Sequence, residues 1–342
     1  MRLIRKLAAG AVLVVWSAVP LSAGDLYVGL KTWETNWRIG AADSLNNRMT
    51  DNSLFGSIIA SGGQRLVLET ISIPPAKMRL FGYTLSYIEK DWSVNFAGAQ
   101  GDTVLSGEYR YLSFADTPSN SNLYFSPAVL DIGVRRNEQD LTLTKLLGQT
   151  RFFLFGGIKR LSYVYHNPFR LTTGAYNEQS GGFTYRGPVF ASQAEALIVF
   201  RTLGPAAGLG YSFALSRNRS LSLSLGGISL RGTLQFRTAY AEYAGGYSGY
   251  GRGYQNENLY VRGYTADLTY NILFARVHLF RISLRHQSAS NYAAGTRGFR
   301  FGISSSSGLS FTPVLDFPGL NLSFHGGRDV FSGLSFAFLV KL

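Results

Sequence analysis

Cysteine is absent from all 342 residues. That excludes a disulfide framework, a thiolate-held metal or iron–sulfur site, a cysteine nucleophile and a lipid-modified N-terminal Cys. Charge is scarce as well: 15% of residues are Asp, Glu, Lys or Arg, against about 25% in an ordinary soluble domain. Beyond the first twenty residues there is no run of about 18 uninterrupted apolar residues, so no segment qualifies as a membrane-crossing helix. No phosphate-binding loop, dinucleotide fingerprint or EF-hand is present, and His166, His278, His286 and His325 do not have metal-ligand spacing. No cofactor and no metal site is therefore expected. What the chain does have is 39 Gly, 24 Phe, 20 Tyr and 46% hydrophobic residues, too apolar a mixture for disorder. Its formal net charge is +13, which turns attention to anionic partners: nucleic acid, anionic lipid, or anions in a pore.

The N-terminus narrows that list. Arg2, Arg5 and Lys6 precede an apolar stretch from Leu7 to Val19, and Ser22-Ala23-Gly24 supplies small residues behind Pro20. A basic segment, a short hydrophobic segment and a small-residue cleavage site form a secretory signal. The expected organisation is a signal peptide over 1–24 and one domain over 25–342. Export argues against a nucleic-acid partner, and three positive charges leave with the leader.

The remaining chain alternates with a period of two, the strand signature. Phe81, Tyr83, Leu85 and Tyr87 oppose Gly82, Thr84 and Ser86; Trp92, Val94 and Phe96 oppose Ser93 and Asn95; Leu and Ser alternate over 221–225. Further on, Leu105, Gly107, Tyr109 and Tyr111 oppose Ser106, Glu108 and Arg110, and Ile132 and Val134 oppose Asp131, Gly133 and Arg135. The last segment sets Leu334, Phe336, Phe338, Val340 and Leu342 against Gly333, Ser335, Ala337 and Lys341. Compact polar breaks at 89–91, 99–102, 136–139 and 217–220 read as turns, while 167–180 and the Tyr/Gly-rich 240–258 read as longer loops. Gly156-Gly157 and Gly226-Gly227 read as bulges where the apolar face switches.

A soluble sandwich needs a charged outer face on every strand, and charge here is too scarce to supply one. A membrane barrel turns apolar residues outward and polar residues to its lumen, and lipid forbids open edges. On the leader, the alternation and the final strand, the chain resembles the bacterial outer-membrane β-barrel proteins. That family commonly ends in Phe, where this chain has Leu342. The resemblance implies an all-β fold, a closed antiparallel up-and-down transmembrane barrel in a Gram-negative-type outer membrane, in contact with outer-membrane lipid and lipopolysaccharide. At about 10 residues per crossing plus turns, roughly 14 strands fit, within an even range of about 12–16.

Alternation assigns Ser229, Arg231, Thr233, Gln235 and Arg237 inward against Ile228, Leu230 and Leu234, and Arg281, Ser283 and Arg285 inward against Phe280, Ile282 and Leu284. Arg300, Glu108, Arg110, Asp131 and Arg135 join them. An Arg on the lipid face near the midplane costs about 2–4 kcal/mol, so a basic, anion-favouring lumen is expected, as in a porin-like passive channel for small anionic or polar solutes. Two readings stand beside it: charge pairs that merely brace a filled interior, and basic residues at strand ends that hold anionic headgroups. Trp33, Trp37 and Trp92 are expected at the membrane borders.

One constellation has catalytic potential. His286-Gln287-Ser288 continues the apolar face of its strand, with Asn291 close behind. This is similar to the His-x-Ser pair of outer-membrane phospholipase A and lipid A deacylases, and it implies a lipid-facing hydrolase in which His286 activates Ser288. The family's third member comes from the adjacent strand; the segment 296–303 has no Asn, Asp or Glu, leaving Asn291 to serve from the loop. The third possible role is a closed structural or adhesive barrel that works through its extracellular loops. Sequence leaves the oligomeric state open.

Overall fold

The computed structural model describes residues 24–40, 64–70, 75–117, 120–148, 150–179, 182–244, 247–275, 277–294, 300–302, 314–316 and 327–342, with side chains at 64–70, 107–130, 167–196, 236, 238–255 and 293–316 outside that description. Thirteen strands follow in order: β1 (Asp25–Arg38), β2 (Gln64–Thr70), β3 (Ala76–Ile88), β4 (Trp92–Thr117), β5 (Asn120–Leu146), β6 (Phe152–Gln179), β7 (Gly182–Ser216), β8 (Arg219–Ala244), β9 (Tyr247–Phe274), β10 (His278–Ala294), β11 (Arg300–Gly302), β12 (Val314–Asp316) and β13 (Arg328–Lys341). Ten of them close into an antiparallel barrel in the order β1-β3-β4-β5-β6-β7-β8-β9-β10-β13, with β13 returning to β1. β2 pairs with the far half of β4, beyond the reach of β3, and β11 with β12 makes a separate two-stranded sheet.

The wall is sheared. A trail of paired residues leaves β13 at Asp329, runs through Ala289, Gly263, Ile228, Ala206, Gly157, Thr142, Asn95, Ser86 and Tyr27, and returns to β13 at Lys341. That offset is the stagger a tilted, closed sheet requires. Tight connections at 89–91, 147–151, 217–218 and 275–277 gather at one end. The opposite end carries the tall hairpins β4–β5, β6–β7 and β8–β9. Short turns mark the periplasmic end of such barrels and long connections the extracellular one.

Ten strands, against about fourteen expected, reflect strand length. β7 runs for 35 residues and β9 for 28, where about 9–11 cross a membrane. Segments 167–180 and 240–258, expected as loops, lie mostly within the arms of the β6–β7 and β8–β9 hairpins. The breaks expected at 99–102 and 136–139 are uninterrupted strand inside β4 and β5, whereas 89–91 and 217–218 are turns. No bulge forms at Gly156-Gly157 or Gly226-Gly227, because the ladders run through both pairs in register.

Those glycines make room for side chains. Phe155 points into the lumen, and a Cβ on Gly226 would lie 2.6 Å from its ring tip and 2.9 Å from the Ala207 carbonyl. A Cβ on Gly157 would collide with the Leu141 carbonyl. Gly226→Val is therefore expected to lower the yield of the compact, heat-modifiable barrel band on gels. Adding Phe155→Ala should recover part of it, and no recovery would show that the ring is not the obstacle.

Candidate functional site

Among the described side chains of the wall strands, direction follows residue parity, while polarity does not. On β5 the even residues Ile132, Val134, Arg136, Glu138, Asp140 and Thr142 face inward, and Asp131, Arg135, Leu141 and Leu143 face out. Near the short turns the outer face is apolar: Leu30, Phe81, Leu143, Leu209, Leu225 and Phe338 are all exposed, and water cannot favour such a band, so it faces lipid. Toward the hairpin tips the pattern inverts. There the outer face is polar, and the inner face carries the core: Trp37, Leu80, Ile132, Tyr163, Phe200 and Leu230 are buried together with partners from all ten strands. Each such side chain removed from water contributes about 1.5–3 kcal/mol.

This core packs across the lumen from wall to wall. Trp37 on β1 meets Tyr163 on β6 edge-on at 5.3 Å, and Tyr163 stacks on Phe200 at 4.0 Å. Phe331 on β13 meets Trp33 at 4.7 Å. The guanidinium of Arg136, 0% exposed, reaches from β5 to lie 4.0 Å over Phe331 and 4.6 Å over Trp37. Trp33 and Trp37 thus bridge the lumen and do not sit at the membrane border where the sequence placed them. Their size and flatness fit a cross-lumen contact, and being on odd positions of β1 they face inward. Trp92 stays at the short-turn end, packed on Tyr87 at 5.2 Å.

Under the seal runs a chain of charges. Arg136 Nε donates to Glu138 Oε1 at 2.7 Å. Lys159 Nζ lies 3.0 Å from Glu138 Oε2 and 3.1 Å from Asp140 Oδ1. Asp140 Oδ2 meets Arg285 Nη1 at 3.5 Å, and Arg285 closes the series on Asp267. β5 and β10 stand five strands apart in a ten-strand wall, so this chain spans the full width of the lumen. Above it, Asp329 accepts from the Gly40 amide at 2.6 Å and from Asn291 Nδ2 at 2.7 Å.

The residues singled out in the sequence fall into three groups. Arg281 and Arg285 face the lumen. Asp131, Arg135, Arg231 and Arg237 lie on the outer face and are exposed, a correction with one cause: their strands continue past the membrane, where the outer face meets water and the inner face must be apolar. Ser229, Thr233 and Gln235 move outward with them. The side chains of Glu108, Arg110 and Arg300 lie outside the described residues. Arg136, Glu138, Asp140, Lys159 and Asp267 were missed; parity with Thr142 and Thr144, opposite Leu141 and Leu143, was the signal in β5.

Outward cations collect just above the apolar band. Arg79, Arg160, Arg201, Arg262 and Arg328 each sit two residues from an outward Phe, Ile, Leu, Tyr or Val on the same strand, and Arg135 and Arg231 extend the row on β5 and β8. Seven of the ten wall strands contribute an arginine, and Lys77 stands beside Arg79 on β3. Only Arg79 shows a carboxylate partner in this row among the described residues, the exposed Glu34.

The catalytic reading does not assemble. His286 and Ser288 face out, but Asn291 is on the lumen side, bonded to Asp329. His286 Nδ1 pairs at 2.7 Å with Ser332 of β13, and Ser288 Oγ accepts from Arg328 Nε at 2.8 Å. No carboxylate or amide orients the imidazole among the described residues, so the phospholipase resemblance is unsupported. No cluster of three metal-ligating side chains occurs among the described residues either.

Removing one member of a buried ion pair leaves the other uncompensated, at about 3–5 kcal/mol. Glu138→Ala is expected to lower the urea stability of the liposome-folded barrel by that amount. Glu34→Ala, which breaks only an exposed pair, should change it by less than about 1 kcal/mol. Equal effects would mean the buried chain is not holding the lumen.

No family model and no curated protein matches the chain. Among solved structures, 94% of this chain aligns with 99% of OccK2 (OpdF) of Pseudomonas aeruginosa at 8% identity and a TM-score of 0.14. Similarly, 93% aligns with 98% of OccAB2 of Acinetobacter baumannii at 7% identity and a TM-score of 0.12. Superpositions that poor carry no argument. The chain is a transmembrane β-barrel on the strength of its own closed ladder and apolar outer band.

Proposed function

We propose that the protein is an outer-membrane barrel closed to solutes, which works from its outer surfaces and not through its lumen. The observation that carries this reading is contact between opposite walls: Trp37 of β1 on Tyr163 of β6, and Arg136 of β5 on Phe331 of β13. A buried apolar layer with members from every wall strand, its aromatics from β1, β6, β7 and β13, packs across the lumen at that level and supports the closed reading. The tall hairpins then stand beyond the outer leaflet, an arrangement suited to adhesion or to structural contacts with the cell surface.

The row of outward arginines supports a second element of the same role. Guanidinium groups bind phosphate bidentately, and here they stand where the apolar band gives way to water, the level of anionic headgroups. Lipopolysaccharide, whose lipid anchor bears phosphates, is the partner this geometry favours. The passive channel expected from the sequence, with small anions drawn by Arg281 and Arg285, requires the aromatic layer to open.

Planar-bilayer recording of the refolded protein decides between these. The native barrel should give no conductance steps, and a Trp37→Ala/Tyr163→Ala/Phe331→Ala variant should admit current. Stable steps from the native protein would overturn the closed reading. Arg201→Gln/Arg231→Gln/Arg262→Gln should reduce lipopolysaccharide phosphate retained through purification without altering conductance.

A further inference from the structure

Below the seal the lumen widens into a cavity of about 530 Å³ that reaches the turn at Glu89, Lys90 and Asp91, within the size range of small-molecule sites. Hydroxyls line it in rows, Thr142 and Thr144 on one wall and Ser283, Thr269 and Ser335 on another, with Thr269 Oγ1 donating to Ser283 Oγ at 3.0 Å. Two cations occupy a single rung of the ladder there. Lys31 of β1 pairs with Ala337 of β13, and Ala337 pairs with Arg281 of β10. All three face inward, so two long basic side chains flank a floor no larger than a methyl group. Strand spacing sets their Cα atoms about 10 Å apart, a span their side chains can close around a guest. On its other side Lys31 faces Gly82, which leaves that flank open too.

Neither cation has a carboxylate partner among the described residues. Lys31 Nζ rests 4.6 Å from the centre of the Trp33 ring, and Arg281 Nε donates to Asn271 Oδ1 at 2.9 Å. The inner carboxylates Asp140 and Asp267 are taken by Lys159 and Arg285. At the mouth, Glu89 accepts from the Tyr87 hydroxyl at 3.0 Å. Bracing the wall does not call for two inward cations on one rung without direct carboxylate contacts, because a desolvated charge that lacks such a contact costs free energy that a paired one recovers.

We propose that this cavity binds a small polyhydroxylated anion from the short-turn end. Its phosphate or carboxylate sits between Lys31 and Arg281, and its hydroxyls bond to the Ser and Thr rows. This site needs no transport through the seal and is independent of the outer-surface role.

Trp33 and Trp92 both line the cavity, so the full chain in detergent micelles reports occupancy by tryptophan fluorescence, with calorimetry on the same samples guarding against a silent signal. Glucose 6-phosphate and glucuronate should titrate to saturation, inorganic phosphate more weakly, and glucose not at all. Lys31→Gln and Arg281→Gln should each weaken binding by about tenfold or more, the scale of one charge-assisted contact. Ala337→Met, which keeps both charges and fills the floor, should weaken it as well. Variants are compared as folded, heat-modifiable barrels, and Arg281→Lys paired with Lys31→Gln replaces any that does not fold. No saturable response to any of the three anions overturns the proposal. So does glucose binding as well as glucose 6-phosphate, or native affinity in the charge variants.

Discussion

Hydrocarbon offers a backbone amide no partner, so every N–H and C=O that crosses it must be satisfied inside the wall. In this chain that requirement is met by one closed ladder whose recorded irregularities fall at Thr173–Tyr176 and at Ala214–Ser216, near a hairpin tip and a short turn. Between those places nothing resets the alternation. Once one residue of a strand faces inward, the direction of every other is set by its number alone. Side-chain chemistry must adapt to that parity, and it does so differently at different heights.

The two polarity gradients run in opposite senses for that reason. Where lipid surrounds the wall, Leu223 and Leu225 face out and Ser222 and Ser224 face in. Higher up on the same strand, Arg231 is out and Leu230 is in, because water now lies outside and burial is available only inside. The lumen therefore holds two different materials. An aromatic and aliphatic core occupies the hairpin side, and a hydroxyl-lined, charge-laced chamber occupies the turn side. Arg136 is the joint between them, since its guanidinium stacks on Phe331 and bonds to Glu138. Arg suits that place because its flat, weakly hydrated head can lie against a ring and still present donors at its edge.

Sequence was read well where environment and parity agree. The closed all-β architecture, the outward faces of β3 and β13, and the inward direction of Arg281 and Arg285 are all legible, because those segments lie at membrane depth and polarity tracks direction. It was misread wherever the wall stands in water. Arg135 and Arg231 look like lumen residues only if polar is equated with inward, and nothing local marks the height at which that equation reverses. Residues 136–139 look like a turn for a related reason: four polar residues in a row are ordinary loop composition, and only the alternation continuing on both sides of Arg136 and Glu138 distinguishes a charge-bearing strand. Strand number failed by the same route, since β7 is about three times the length that membrane thickness requires.

The pairing of β1 with β13 also governs the order in which this protein can acquire its stability. β3 through β10 can zip as consecutive hairpins with local contacts, but the last rung joins residues almost the whole chain apart, such as Trp37 and Phe331. Loop closure over that distance is entropically slow. Until it happens, Tyr163, Arg136 and Phe200 have no opposite wall to meet, and the aromatic layer stays wet. Most of the interior therefore forms in a single late event. Unfolding should run the same way in reverse, with the seam between first and last strands parting before any hairpin does, so the barrel's lifetime is set by that seam.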